Sequence, residues 1–212
     1  MKIAMIGQKG IPAKFGGIET HVAELSTRLV RLGHEVVVYS RRWYTPKGMT
    51  RVNGATIVRL PSIATKHLDA ISHTLFSALH AALIVRPDVY HFHGVGPSLL
   101  SWIPRVLAPR ATIVTTFHSV DRTHEKWGFL GRMALALGER TAFWFADETI
   151  TSSRSLTRYA EKEFGRHAAY IPNGITPVHT SVDPLLLSPF GLQPFSYVAM
   201  FSRLVPHKGA HT

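Results

Sequence analysis

The sequence predicts an α/β protein: a Rossmann-like, doubly wound parallel sheet with helices on both faces. Two observations carry this. Short apolar runs such as Glu-Val-Val-Val-Tyr-Ser (Glu35–Ser40) alternate along the chain with segments whose apolar residues recur at helical spacing. Turn residues punctuate the alternation, as at Gly33, Asn53-Gly54, Arg86-Pro87 and Gly165.

The elements follow in order. Lys2–Ile6 is a strand. Ile18, Val22, Leu25 and Leu29 place a helix over Ile18–Leu32, ended by Gly33. Glu35–Ser40 is the second strand, and Asn53-Gly54 turns the chain into the third, Ala55–Leu60. His67–Val85 reads as one long helix stopped by Arg86-Pro87, before a fourth strand, Asp88–His93. Pro97–Leu107 reads as a single helix opened by Gly96-Pro97, and Ala111–Phe117 as a fifth strand. Phe129–Ala146 is an apolar helix and Glu148–Thr151 a short strand. Ser152 and Ser153 cap a helix over Leu156–Phe164, closed by Gly165. Ala169–Ile171 is a last strand before the tight turn Pro172-Asn173-Gly174.

Residues 1–176 thus form one domain. Residues 177–194 hold four prolines (177, 184, 189 and 194) with little periodicity and read as a linker. Over 195–212, an apolar run (Phe195–Phe201) reads as a strand that delivers Arg203 and Lys208 to one loop; it is expected to be the start of a second domain. Two cations so placed suit a diphosphate.

The chain has 212 residues, enough for one sizeable core and a remnant. It has no cysteine, which excludes disulfides and thiolate metal sites and fits a cytoplasmic setting. The opening residues are expected to form a strand and do not read as a leader. No stretch of about 20 uncharged apolar residues exists, so a membrane span is not expected. The net charge of +11, from 24 Lys and Arg against 13 Asp and Glu, points to anionic partners: nucleotides or a phospholipid surface. The cations are dispersed, whereas a nucleic-acid binder concentrates them, so nucleic acid is not expected as a partner. Leu68–Val85, flanked by Lys66, His67 and Arg86, reads as a packed helix of the sheet, with contact to a membrane surface as the alternative.

In a doubly wound sheet, ligands bind beyond the carboxyl ends of the strands. Three such ends carry chemistry. After strand one, Gly16-Gly17 precede the helix and let its N-terminal N–H groups approach a phosphate or a sugar hydroxyl. The dinucleotide fingerprint G-x-G-x-x-G is absent, and Ser40-Arg41-Arg42 stands where an acidic residue would hold a ribose, so NAD is disfavoured. After strand four, His91 and His93 share a face, followed by Gly94-Val95-Gly96-Pro97. They could ligate metal, but no third ligand lies nearby in sequence at zinc-like spacing, so packed histidines are expected. After strand five, His118 falls in the crevice, where it can serve a substrate hydroxyl or a leaving group.

Taken together, these segments resemble the retaining, nucleotide-sugar-dependent glycosyltransferases of family 4, which have the GT-B fold. Residues 1–7 with Phe-Gly-Gly-Ile-Glu-Thr-His-Val (15–22), Val89–Gly94, Thr116–His118, Ile171–Ile175 and Phe201–Gly209 fall in that family's order. Residues 51–54, 66–69 and 126–128 look like the bacterial rhamnosyltransferase-like subgroup for surface polysaccharide.

The resemblance implies that residues 1–176 are the acceptor-binding N-terminal half of a GT-B fold. Residues 195–212 would then begin a truncated donor-binding domain, so that this chain alone would not turn over. It also implies sites. Gly16, Gly17, Glu19, His93, Gly94, Asp121, Asn173 and Gly174 would line the cleft, with His118 catalytic beside the transferred sugar. Arg203 and Lys208 would bind the donor diphosphate and offset leaving-group charge, with no metal or other cofactor required. The implied partners are a nucleoside-diphosphate sugar and a saccharide or lipid-linked acceptor, at the inner face of a plasma membrane. Thr176 stands where the family usually has Asp, and the family's Glu-x7-Glu pair would lie beyond Thr212. A non-catalytic basic module docking on membrane or polysaccharide is the alternative.

Overall fold

A computed structural model describes residues 1–65, 68–123, 127–175 and 184–200. The chain forms two compact units, Met1–Asn173 and Gly174–Thr212.

The first unit is an eight-stranded sheet. Its strands are β1 (Lys2–Ile6), β2 (Glu35–Arg41), β3 (Arg51–Val52), β4 (Ala55–Leu60), β5 (Val89–His93), β6 (Thr112–Phe117), β7 (Glu148–Thr151) and β8 (Ala169–Tyr170). They run in the order β3-β4-β2-β1-β5-β6-β7-β8. All pairings are parallel except β3 with β4. From β1 the chain winds outward through β2 to β4, then returns to lay β5 on the other side of β1. The order reverses there, and a crevice opens at the carboxyl ends of β1 and β5.

The helices are α1 (Gly17–Arg31), α2 (Leu68–His80), α3 (Val95–Ser98), α4 (Trp102–Leu107), α5 (Phe129–Trp144) and α6 (Arg154–Phe164). Successive strand side chains point to opposite faces, which divides the core in two. Ala4, Ile6, Val37, Tyr39, Tyr90, Phe92 and Ile113 bury one face against Ala78 of α2 and Ile103 of α4. Ile3, Met5, Val36, Val38 and Ile57 bury the other against Val22 of α1. A third cluster joins Val95, Phe117, Leu135, Phe143 and Ala160 under α3, α5 and α6. Each large side chain buried in this way contributes about 1.5–3 kcal/mol.

Three expectations needed correction. The helix read over Pro97–Leu107 is two helices. Pro104 has no N–H to give to Leu100, and its ring crowds that carbonyl. The chain therefore tightens to i→i+3 bonds, Leu100 N to Pro97 O at 3.0 Å and Ser101 N to Ser98 O at 3.0 Å, before α4 starts. α5 covers the break, Thr141 Oγ1 donating to Ser98 O at 2.8 Å. The helix read to Val85 also changes character, because Ala81–Val85 is a π turn ended by Arg86 at φ 50°; its expected first residue, His67, lies outside the described residues. The strand read over Phe195–Phe201 does not form over 195–200, since no described strand offers its backbone a partner, and Phe195 and Val198 stand fully exposed. Within 177–194, the stretch read as a linker, Pro184–Phe190 forms a 3-10 helix. Phe201 and the rest of 201–212 lie outside the described residues, as do 176–183.

The Asn-Gly turn is present, with Asn53 and Gly54 both at positive φ, and it pairs β3 antiparallel to β4. Leu68–Val85 is apolar and long enough to span a bilayer by length and composition. Ser72, His73, Thr74, Ser77, Ala78 and Ala81 are nonetheless buried, and Ala78 and Ala81 belong to the sheet core.

Candidate active site

The site is assembled where β1, β5 and β6 end. Gly7, at φ +112°, closes β1; a Cβ there would sit 2.7 Å from His93 O and 2.7 Å from Pro97 Cγ. Glycine thus allows the β1 loop to press against β5 and α3. The loop is pinned beyond that point. Gln8 Nε2 donates to Met5 O at 2.8 Å and to Tyr39 O at 2.9 Å. Thr45 Oγ1 donates to Ile11 O at 2.9 Å, and Lys14 N to Tyr44 Oη at 2.7 Å.

Gly16 then caps α1 at φ 102° without a side-chain hydrogen bond. The first-turn N–H groups of α1 have no acceptor within the helix, and nothing lies within 4 Å of the Cβ position of Gly17. Glu19 is buried, and its carboxylate is engaged in the loop: Oε1 accepts Lys9 N at 3.1 Å and faces Lys9 Nζ at 4.0 Å.

His21 lies one turn further along α1 and meets the histidines of the sheet. The His21 ring stands 5.1 Å from His118 and 5.6 Å from His93, centroid to centroid. His93 and His118 stack at 5.8 Å, with His118 Nε2 3.5 Å from His93 Nδ1. His93 Nε2 is 3.4 Å from Met5 Sδ. A thioether can only accept, so this contact places the His93 proton on Nε2. His91 lies 4.1 Å from His93 and its Nε2 bonds Thr116 Oγ1 at 2.7 Å.

Burial first, then the neighbouring imidazoles, hold these rings neutral. His91 is pushed down to about 3, His118 to about 4, and His93 well below the usual range. Burial also lowers His21, against a smaller opposing effect of the Asn173 side chain. At neutral pH His118 is therefore a hydrogen-bonding group and a poor proton carrier.

The sequence-derived residues sort as follows. His93 and His118 come together, and Asn173 reaches the group through His21. Gly94, at φ 93°, donates its N–H to Thr116 O at 2.9 Å, and its carbonyl accepts Ser98 Oγ at 2.9 Å, which starts α3 beside His93. Gly16 and Gly17 lie at the head of the helix that carries His21. Asp121 opens the 3-10 turn after β6 and accepts Ser119 Oγ at 2.6 Å. Gly174 is exposed and belongs to the second unit. Arg203 and Lys208 lie outside the described residues. His21 was missed. Its place four residues after Gly17, on the same helix face, was the available signal.

A doubly wound sheet with a polar histidine group at its switch-point crevice defines a Rossmann-like domain. The Glycosyltransferase Family 4 model matches residues 15–178, and the chain belongs to that family. It is 24% identical over 202 residues to the phosphatidylinositol N-acetylglucosaminyltransferase gpi3 subunit of Schizosaccharomyces pombe, covering 92% of this chain and 42% of the relative. Among solved structures, Anabaena Alr3699/HepE in complex with UDP and glucose superposes with a TM-score of 0.72 at 20% identity, over 100% of this chain and 56% of that one. The lipopolysaccharide outer core galactosyltransferase WaaB matches with a TM-score of 0.56 at 17% identity, over 87% of this chain and 49% of that one. The chain therefore spans about half the length of these proteins.

Proposed function

We propose that this chain is the acceptor-side domain of a retaining glycosyltransferase that uses a nucleoside-diphosphate sugar. The bond from the anomeric carbon to the diphosphate oxygen breaks. A bond to an acceptor hydroxyl oxygen forms on the same face, and the hydroxyl proton is released. The acceptor is a saccharide, free or lipid-linked. Family membership supports the reaction class, and the observation that carries the site is His118 packed against His93 and His21 at the switch-point crevice.

A ring held near pKa 4 is almost entirely unprotonated at pH 7. His118 therefore holds a hydroxyl of the transferred sugar instead of supplying a proton. The free N–H groups at the start of α1 face donor phosphate or acceptor hydroxyl. Arg203 and Lys208 take the diphosphate charge, so that transfer needs no metal. An anionic membrane surface suits the exposed Leu83, Ile84, Trp102 and Val106, with Arg86 and Arg105 nearby in sequence.

The test is transfer of a labelled sugar from a panel of nucleoside-diphosphate sugars. Two proteins are compared: the 212-residue chain, and the same chain extended by whatever coding sequence follows Thr212. Transfer is expected from the extended protein only. In it, His118→Ala is expected to lower kcat about a hundredfold, the usual effect of removing one hydrogen-bonding group at the reacting centre. Saccharide binding without any transfer by the extended protein would favour a non-catalytic binding module. Transfer by the short chain would overturn the division of labour proposed here.

A further inference from the structure

We infer that His21, His93 and His118 form a binding site for a divalent transition cation of the zinc class, on the rim of the crevice. Each ring offers one nitrogen, and the three nitrogens lie within 4.8 Å of one another. Tetrahedral zinc with Zn–N bonds of about 2.0–2.1 Å sets its ligand nitrogens roughly 3.4 Å apart. His93 Nδ1 and His118 Nε2 already stand at 3.5 Å. His21, on the separate element α1, closes the third corner by rotation of its ring.

Two further observations point to a ligand. The His93 proton is committed to Met5 Sδ through Nε2, at 3.4 Å, which leaves the Nδ1 lone pair aimed at His118. A ligand histidine is normally oriented through its other nitrogen in this way. His21 Nε2 is buried without a hydrogen-bond partner, a cost that a bound cation would remove.

Three imidazoles without a carboxylate select Zn²⁺, Co²⁺, Ni²⁺ or Cu²⁺ over Mg²⁺ and Ca²⁺. They carry no charge, so the fourth position is left for water, hydroxide or an anion. Occupancy would also withdraw His118 from any sugar hydroxyl and make the cation an inhibitor. That consequence, unlike the binding itself, rests on the function proposed above.

Co²⁺ serves as the probe, titrated into the chelator-stripped 212-residue chain and followed by its ligand-field absorption, with Zn²⁺ displacement and calorimetry alongside. The expected result is saturation at one cation per chain, tetrahedral-type bands, and no competition from millimolar Mg²⁺. His21→Asn and His118→Asn are each expected to weaken binding at least tenfold and to abolish the rise in Tm that Zn²⁺ gives the parent chain. His167→Asn, at an exposed position, is expected to leave both unchanged. Urea midpoints without metal check that each variant folds. Absence of saturable binding below 100 μM (roughly −5.5 kcal/mol), or equal affinity in all three variants, would overturn the site. Neither outcome touches the transfer assay, which is run with chelator present.

Discussion

The metal-free protein is expected to lose a substantial part of its stability between pH 7 and pH 5. His73, His91 and His93 are almost fully buried, at 0%, 7% and 1% exposure. Burial pushes His73 down to about 4, with Arg41 adding to the effect, and His91 down to about 3; His93 falls well below the usual range. In the unfolded chain each titrates near 6.5. Between those limits the unfolded state binds protons that the folded state refuses, so stability falls as pH falls. The loss begins near pH 6.5 and continues to about pH 4 for His73 and about pH 3 for His91. Each ring contributes a slope of up to about 1.4 kcal/mol per pH unit. Three rings thus cost up to about 6 kcal/mol between pH 7 and pH 5, against a whole-domain stability of about 5–15 kcal/mol.

Urea midpoints at the two pH values, with chelator present, measure this directly, and equal midpoints would refute it. His73 separates the contributions because it lies on α2, outside the histidine group at the crevice. The Ser40 backbone lies within reach of its ring, but neither ring nitrogen makes a hydrogen bond of good geometry. His73→Leu, an apolar replacement of similar size, should shrink the pH-dependent loss by about 2 kcal/mol and leave the parent less stable than the variant at pH 5.

Most of the sheet could be read from the chain because its strands are buried on both faces and its turns use Gly, Pro and Asn at fixed places. Glu35–Ser40 and Ala55–Leu60 needed no tertiary information, and the structure only extends the first to Arg41. The two-residue strand β3 was invisible because Arg51-Val52 has no pattern of its own, and only pairing across Asn53-Gly54 defines it. The split of α3 from α4 was legible in principle from Pro104, but the apolar spacing of 97–107 outweighed it.

The site was half legible. His93 and His118 stand at strand ends, where a doubly wound sheet puts its ligands. A third ligand was sought along the sequence, whereas the fold supplies it across space: β5 and β6 are neighbours, and α1 returns over β1. His21 is 72 residues from His93 and could be placed only once the strand order was known. The family resemblance implied Glu19 as a cleft residue; its Oε1 accepts the Lys9 N–H of the same loop at 3.1 Å, a contact that no sequence pattern announced.

Gly138→Ala is expected to destabilise the first unit. Gly138 lies in α5 where that helix crosses α3, and an added Cβ would fall 2.3 Å from the carbonyl oxygen of Val95 and 3.1 Å from its carbonyl carbon. Those atoms are backbone and cannot rotate aside, so α5 must move off α3. That would loosen the packing of Leu135 and Phe143 against Val95 and Phe117. Such overpacking costs about 1–3 kcal/mol or more, opposed by about 1 kcal/mol of improved helix propensity.

Gly96→Ala probes the other side of the same crossing. Its Cβ would meet only Leu135 Cδ2, at an ordinary 3.8 Å, and its φ is not positive. That change is expected to be neutral, or stabilising by up to about 1 kcal/mol. Urea unfolding of the two variants beside the parent checks the pair. If Gly138→Ala matched Gly96→Ala, the close approach of α5 to α3 would be wrong, and with it the support that positions Val95, Gly94 and the end of β5 where His93 enters the crevice.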